Sequence, residues 1–390
     1  GSIPFTQIER GCLQPTGRQI AMLVELVSRH ERGLIICGPR CPAGSFAGDV
    51  LALAQRCGYP IFADPLSGMR FGDGAQQVVS GYDSFLAVKG LDLESPELVI
   101  HFGAAPISAV LAAYLERANP VERLHIAENG VWADDAHRTS WFLQANEAEV
   151  CRRLTEGVQP SSERGYTRRW IDVEKLTWEA IAAGLDEAEL FDGAAVAQAL
   201  QALPQHANLF MGNSLAVRHL DQFGAPRQGQ IRVYGNRGAS GIDGNVSTAL
   251  GIAAAQPDAP LAAVMGDITF YHDSNGLLAV GKYGLRNVTF LVLNNNGGGI
   301  FRRLPVARFE PPFAEAFLTP HGLEFSSLAQ MYGLEYFRVD SRMELTGALE
   351  KAFLSGAVPT PRLVEVFTDS NVDLQRRSTL LEKVQKALRA

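Results

Sequence analysis

Over the first third of the chain, short unbroken apolar runs alternate with stretches in which apolar side chains recur every third or fourth position. The helical stretches begin at residue 16, with Ile20, Leu23, Leu26 and Val27 on one face and Thr16 as the candidate cap, and recur at 46–57 and 107–118. Between them lie strand-like runs at 34–37, 60–63, 98–102 and 123–126. This βαβ rhythm predicts a small parallel sheet with helices on its faces. Residues 144–190 are charged and helical instead, with Trp170, Leu176 and Ile181 as the expected buried stripe and the charges of 163–169 on a solvated face. A second βαβ series starts near residue 194, with six strands at 208–211, 231–234, 261–265, 288–293, 334–339 and 362–367 and a helix ending at Leu354 between the last two. Residues 371–390 read as an amphipathic terminal helix packed on the body. The pattern therefore predicts an α/β chain of two doubly wound parallel-sheet domains, 1–160 and 191–390, joined by a helical connector at 161–190.

Two of these runs end abruptly in polar, glycine-bearing sequence, Gly266-Asp267 after the first and Asn294-Asn295-Asn296-Gly297 after the second. In a doubly wound sheet ligands sit beyond the carboxyl ends of the strands, so both segments would face one crevice. Asp267 offers an anionic oxygen, an Asn side chain a neutral one, and the carbonyl of Gly297 a third. That donor set suits Mg2+, which demands near-octahedral oxygen ligation and completes its shell with water and phosphates. The glycines let the backbone approach a diphosphate, and the segment after Asp267 can begin a helix whose N-terminus faces the anion.

Other polar strand ends are less specific. GPRCPAG at 38–44 lacks the GxGxxG spacing and reads as a turn between sheet and helix. Arg70, closing DPLSGMR at 64–70, fits a domain interface, the site, or solvent equally well. His272 reads as structural rather than as a general acid.

Composition narrows the class. At 390 residues the chain exceeds one ordinary core, and a net charge of −7 without a basic run argues against nucleic acid and anionic membranes as partners. No apolar run reaches the length of a membrane-spanning helix. Cys12, Cys37, Cys41, Cys57 and Cys151 read as reduced thiols of a cytoplasmic protein, and the Cys37/Cys41 spacing fits no metal motif.

The pairing of Gly266-Asp267 with an Asn pair roughly thirty residues later resembles the thiamin diphosphate motif of decarboxylases and synthases. GNSLAVR at 212–218, NRGASGIDG at 236–244 and NNNGGGIF at 294–301 together resemble the MenD family of menaquinone and phylloquinone biosynthesis, strongly over 190–390 and more loosely over 10–160. The resemblance implies thiamin diphosphate and Mg2+ as cofactors, with Asp267, Asn295 and the Gly297 carbonyl as metal ligands and Asn294 as the rival for the middle place. It implies that Ile242 wedges beneath the bent cofactor, that Ser240 and Gly241 contact its aminopyrimidine, and that Gly266, Ile268 and Gly298 complete its cradle. It implies a transferase that takes carbon dioxide from 2-oxoglutarate and adds the succinyl unit to isochorismate. Arg218 and Arg237 would bind substrate carboxylates bidentately, with Asn213 and Ser214 adding hydrogen bonds and Ile300 and Phe301 an apolar wall. Family members carry an N-terminal pyrimidine-binding domain that supplies the activating Glu, and work as homo-oligomers. This chain reads as the middle and diphosphate-binding domains without the first, inactive alone, in the cytoplasm or a plastid stroma. A noncatalytic module of the same fold and another thiamin-dependent 2-oxoacid enzyme are the alternative readings.

Overall fold

A computed structural model describes residues 5–9, 11–91, 93–161, 165–353 and 359–389. The first series folds as expected. Strands β1 (Gly33–Cys37), β2 (Ile61–Ala63), β3 (Leu98–Phe102), β4 (Glu122–Ile126) and β5 (Trp141–Leu143) form a parallel sheet in the order β2-β1-β3-β4-β5. β1 is buried at every position, because helices cover both faces of a parallel sheet and leave no reason for polar alternation. The helix Gly17–Arg29 buries Ile20, Leu23, Leu26 and Val27 and begins in a capping box, in which Thr16 and Gln19 satisfy each other's backbone N–H groups. β5 was not legible in the pattern. It is a three-residue edge strand whose Trp141 and Phe142 remain exposed, so no continuous apolar run announces it.

The second sheet contains β6 (Asn208–Met211), β7 (Arg232–Tyr234), β8 (Leu261–Gly266), β9 (Val288–Asn294), β10 (Glu335–Val339) and β11 (Arg362–Phe367), all parallel, in the order β10-β11-β9-β8-β6-β7. Successive residues of its central strands serve opposite layers. Ala262, Val264, Leu291 and Leu293 pack under the helices Asp192–Ala202, Leu215–Phe223 and Arg342–Phe353, while Ala263, Met265, Phe290 and Val292 pack under Asn245–Ala255 and Asp267–His272. The chain runs from β6 outward to β7 and then crosses back to β8 on the other side of β6, so the crevice opens at the carboxyl ends of β6 and β8.

The helix Gly165–Glu187 links the two series and packs along the terminal helix Ser370–Arg389, where a Cβ on Gly184 would meet Leu380 at 2.1 Å. Its buried stripe is Tyr166, Trp170, Glu174, Thr177 and Ile181, and Leu176 is 42 % exposed, contrary to expectation. The reason is polar: Glu174 accepts hydrogen bonds from the backbone N–H groups of Ser80 and Gly81, from Ser80 Oγ and from Trp178 Nε1, so a carboxylate takes the place an apolar side chain was expected to fill. Replacing Leu176 by lysine is accordingly expected to leave stability within about 0.5 kcal/mol of the parent in urea unfolding.

Arg70 proves to be an interface residue. It is fully buried at the end of the first sheet and donates to the carbonyls of Ala63, Ser80 and Asp221 and to Asp221 Oδ1 at 2.7 Å, the last two on the helix Leu215–Phe223. Glu163, Leu354 and Ala390, which bounded three expected segments, lie outside the described residues. Among those described, no helix is long and apolar enough to cross a membrane.

Candidate functional site

The carboxyl ends of β6, β8 and β9 converge on a cavity of about 190 Å³. Asn213, Ser214, Ile242, Gly266, Asp267, Ile268, Asn295, Gly297, Gly298, Ile300 and Phe301 all line it, so most of the residues singled out in the sequence are brought together. Ser240 and Gly241, both exposed and next in sequence to Ile242, lie outside its lining, as do Arg218 and Arg237.

Asp267 begins the helix Asp267–His272 directly after β8 and is almost wholly buried. Its Oδ1 accepts from Ile268 N–H at 2.7 Å and its Oδ2 from Gly297 N–H at 2.9 Å. His321, which no motif pointed to, adds a third contact with Nε2 3.1 Å from Oδ2. The tautomer follows from its other nitrogen: Nδ1 accepts from Leu323 N–H, so Nε2 carries the proton and donates. Burial raises the Asp267 pKa, and the two backbone N–H donors oppose the rise. Three of about four acceptor positions on the carboxylate are thus taken and one is left.

The rival asparagines have different surroundings. Asn294 donates to Glu365 Oε1 at 2.6 Å and to Leu323 O, and its oxygen accepts from Asn296 N–H, so its whole amide is spent in the core. Asn295 donates to Asp192 Oδ2 at 2.8 Å, and its Oδ1 is buried without any partner. An orphaned buried oxygen costs about 1–3 kcal/mol unless something meets it. Among the two, only Asn295 has an oxygen to offer a cation. The glycines that follow are required by close approach: Gly297 has φ +137°, and a Cβ on Gly297 or Gly298 would lie 2.1 Å from Leu318 O or 2.4 Å from Phe317 O. That segment also seats Phe301 edge-on against Phe317 at 5.6 Å.

Asn213 differs from expectation. Its N–H groups go to the carbonyls of Asn236 and Gly241 and its oxygen accepts from Arg237 Nη1 at 2.7 Å, so it ties the NRGASGID loop to β6 and has no free donor for a ligand. Ser214, at φ +66°, makes the sharp turn from β6 into the next helix, a strained backbone of the kind that persists where the surroundings hold it. Arg218 donates back to the Ser214 carbonyl at 2.6 Å. Burial lowers the pKa of both Arg218 and Arg237, and the mutual repulsion of the two guanidiniums lowers that of Arg237 further. Both remain cationic. Arg40, in the 38–44 turn, donates to the Arg237 carbonyl at 2.8 Å, and that turn lines a second cavity of about 450 Å³ between the two sheets. His272 pairs with exposed Asp243 at 2.8 Å, consistent with a structural part.

Two family models divide the chain. The middle domain of thiamine pyrophosphate enzymes matches residues 15–211, and the C-terminal thiamine pyrophosphate-binding domain matches 214–366. The chain belongs to the thiamine pyrophosphate enzyme family. Its curated relatives include the 2-succinyl-5-enolpyruvyl-6-hydroxy-3-cyclohexene-1-carboxylate synthases of a Roseiflexus species, 47 % identical over 94 % of this chain and 61 % of the relative, and of Halobacterium salinarum, 36 % identical over 98 % and 64 %. The synthase of Bacillus cytotoxicus is 33 % identical over 95 % of this chain and 63 % of its own length. The MenD resemblance carried by GNSLAVR, NRGASGIDG and NNNGGGIF thus extends along nearly the whole of this thiamine pyrophosphate enzyme chain, which spans about three-fifths of the length of the relatives it matches. Among solved structures, a Mycobacterium smegmatis protein assigned to the thiamin diphosphate-dependent enzymes superimposes with a TM-score of 0.66 at 17 % identity, over 93 % of this chain and 66 % of that one, a likeness of fold.

Proposed function

We propose that this chain provides the diphosphate- and metal-binding half of a synthase that transfers the succinyl unit of 2-oxoglutarate, with loss of carbon dioxide, to isochorismate. The observation that carries the proposal is the partnerless buried oxygen of Asn295 facing the same cavity as Asp267 and Gly297, two of whose lining residues, Ser214 and Asn213, accept hydrogen bonds from Arg218 and Arg237. The donors fit Mg2+: one carboxylate oxygen, one amide oxygen and the Gly297 carbonyl, hard ligands at the carboxyl ends of β8 and β9. Bound thiamin diphosphate supplies carbanion chemistry, while protein groups position it and exclude water.

Ile242 forms the apolar floor of the cradle, with Ser240 and Gly241 next to it in sequence, and Ile300 and Phe301 wall it from solvent. Gly266, Ile268 and Gly298 bring backbone close to the diphosphate. The two arginines match a pair of substrates rich in carboxylates, and a simple diphosphate binder has no use for them. Residues 1–160 then serve as the middle domain, 161–190 as the connector and 191–390 as the diphosphate-binding domain, working in the cytoplasm as a homo-oligomer with a pyrimidine-binding domain. The test is to supply that domain in trans together with thiamin diphosphate and Mg2+ and to assay carbon dioxide release. Release from 2-oxoglutarate that depends on the added domain, with succinyl transfer to isochorismate, is expected. Release from pyruvate instead would reassign the chain to another thiamin-dependent enzyme.

A further inference from the structure

Asp192 is fully buried at the first position of the helix Asp192–Ala202, with one edge on the 190 Å³ cavity. Nothing in the motifs marks it. Its Oδ1 accepts from the Thr368 hydroxyl, at the end of β11, and its Oδ2 accepts from Asn295 Nδ2 at 2.8 Å. An Asn amide can be turned end for end, and only one of its two orientations presents an oxygen to the cavity. The turned orientation would set Asn295 Oδ1 against a carboxylate, acceptor against acceptor, and leave an NH2 facing the cation. Asp192 excludes that arrangement.

Behind Asp192 stands a buried cluster of titratable groups. His219 Nε2 lies 4.0 Å from Asp192 Oδ2 and 3.5 Å from Asp373 Oδ1, and Arg303 Nη2 lies 3.4 Å from Asp373 Oδ2. Asp192, His219 and Asp373 are close enough to resemble a second metal site. Arg303 already pairs with Asp373, however, and Arg377 adds a second positive charge near that carboxylate, so Asp373 has its counter-charges without another ion. The hydrogen bonds that hold Asp192 are those with Thr368 and Asn295, and they tie the start of the helix Asp192–Ala202 to the ends of β11 and β9.

We propose that Asp192 is a positioning residue of the metal site: by accepting from Asn295 Nδ2 it turns the amide so that Oδ1 faces the cation. This rests on the metal reading given above. Groups that orient a ligand are worth about 10–100-fold in metal affinity. The experiment is Mn2+ titration of the chain in the presence of thiamin diphosphate, with free Mn2+ read by electron paramagnetic resonance and melting temperature read in parallel. Asp192→Ala and Asp192→Leu are expected to weaken Mn2+ uptake roughly 10–100-fold. Asp192→Asn keeps an oxygen for Asn295 Nδ2 and an NH2 for the Thr368 hydroxyl, and is expected to stay close to the parent. Asn295→Ala is expected to lose a comparable amount, and adding Asp192→Ala to it to lose nothing more.

Uptake that survives in Asp192→Ala but not in Asn295→Ala overturns the positioning role and leaves the metal reading intact. Additive losses, or a fall in melting temperature without a fall in Mn2+ affinity, overturn it in the same way. Uptake unaffected by Asn295→Ala, or a parent chain that takes up no Mn2+, removes the metal reading and this proposal with it.

Discussion

Replacing Asp267 by alanine is expected to abolish Mg2+-dependent binding of thiamin diphosphate. Calorimetric titration of parent and variant, with and without Mg2+, should show a loss of at least about 100-fold, roughly 2.7 kcal/mol. The size follows from the site. Asp267 is the one anionic donor among the proposed ligands, and it also receives Gly297 N–H, so its loss removes a ligand and loosens the loop that carries the other two. Asn294→Ala is the control: it should lower stability by about 1–3 kcal/mol, because Glu365 Oε1 and the Leu323 carbonyl lose their donor, while leaving Mg2+ dependence in place. Thiamin diphosphate binding unchanged in Asp267→Ala would sink the metal assignment.

The largest effect on stability is expected at Arg70. Changing it to methionine keeps most of the volume but leaves Asp221, 2 % exposed, without its cation and strips four carbonyl groups of their donor. Breaking a buried pair by removing one partner costs about 3–5 kcal/mol, because the other charge stays behind in a medium of low polarity. Arg70 also joins the end of the first sheet to a helix of the second, so the loss should appear as an earlier and broader denaturant transition, the two halves unfolding less cooperatively. A transition with the parent's midpoint and slope would show that the contact between the halves lies elsewhere.

The reach of the sequence can be judged at particular residues. Central strands such as β1, β8 and β9 were legible because a parallel strand covered on both faces must be apolar throughout, and their polar ends gave away the crevice. β5 escaped because an edge strand of three residues buries too little to leave a pattern. Leu176 misled because periodicity reports which face of a helix is apolar, whereas the burial of the helix Gly165–Glu187 is set by Glu174 and its donors on the Ser80–Gly81 turn, about ninety residues earlier.

The candidate site divides the same way. Asp267, Asn295 and Gly297 are legible because two strand ends in a doubly wound sheet face one crevice wherever the rest of the chain goes. The family resemblance already favoured Asn295 over Asn294, and the fold adds a physical difference between them: Asn294 Oδ1 accepts from Asn296 N–H whereas Asn295 Oδ1 has no partner. His321 and Asp192 come from segments 54 residues after Asp267 and 103 residues before Asn295, and meet them only when β8, β9 and the helix Asp192–Ala202 pack side by side. Local sequence thus determined the elements, the sheet class and the donor chemistry, because periodicity and turn residues act over a few positions. Which donors are left free, and which side chain turns them toward the cavity, was decided by contacts between distant segments, and a one-dimensional pattern carries no record of those.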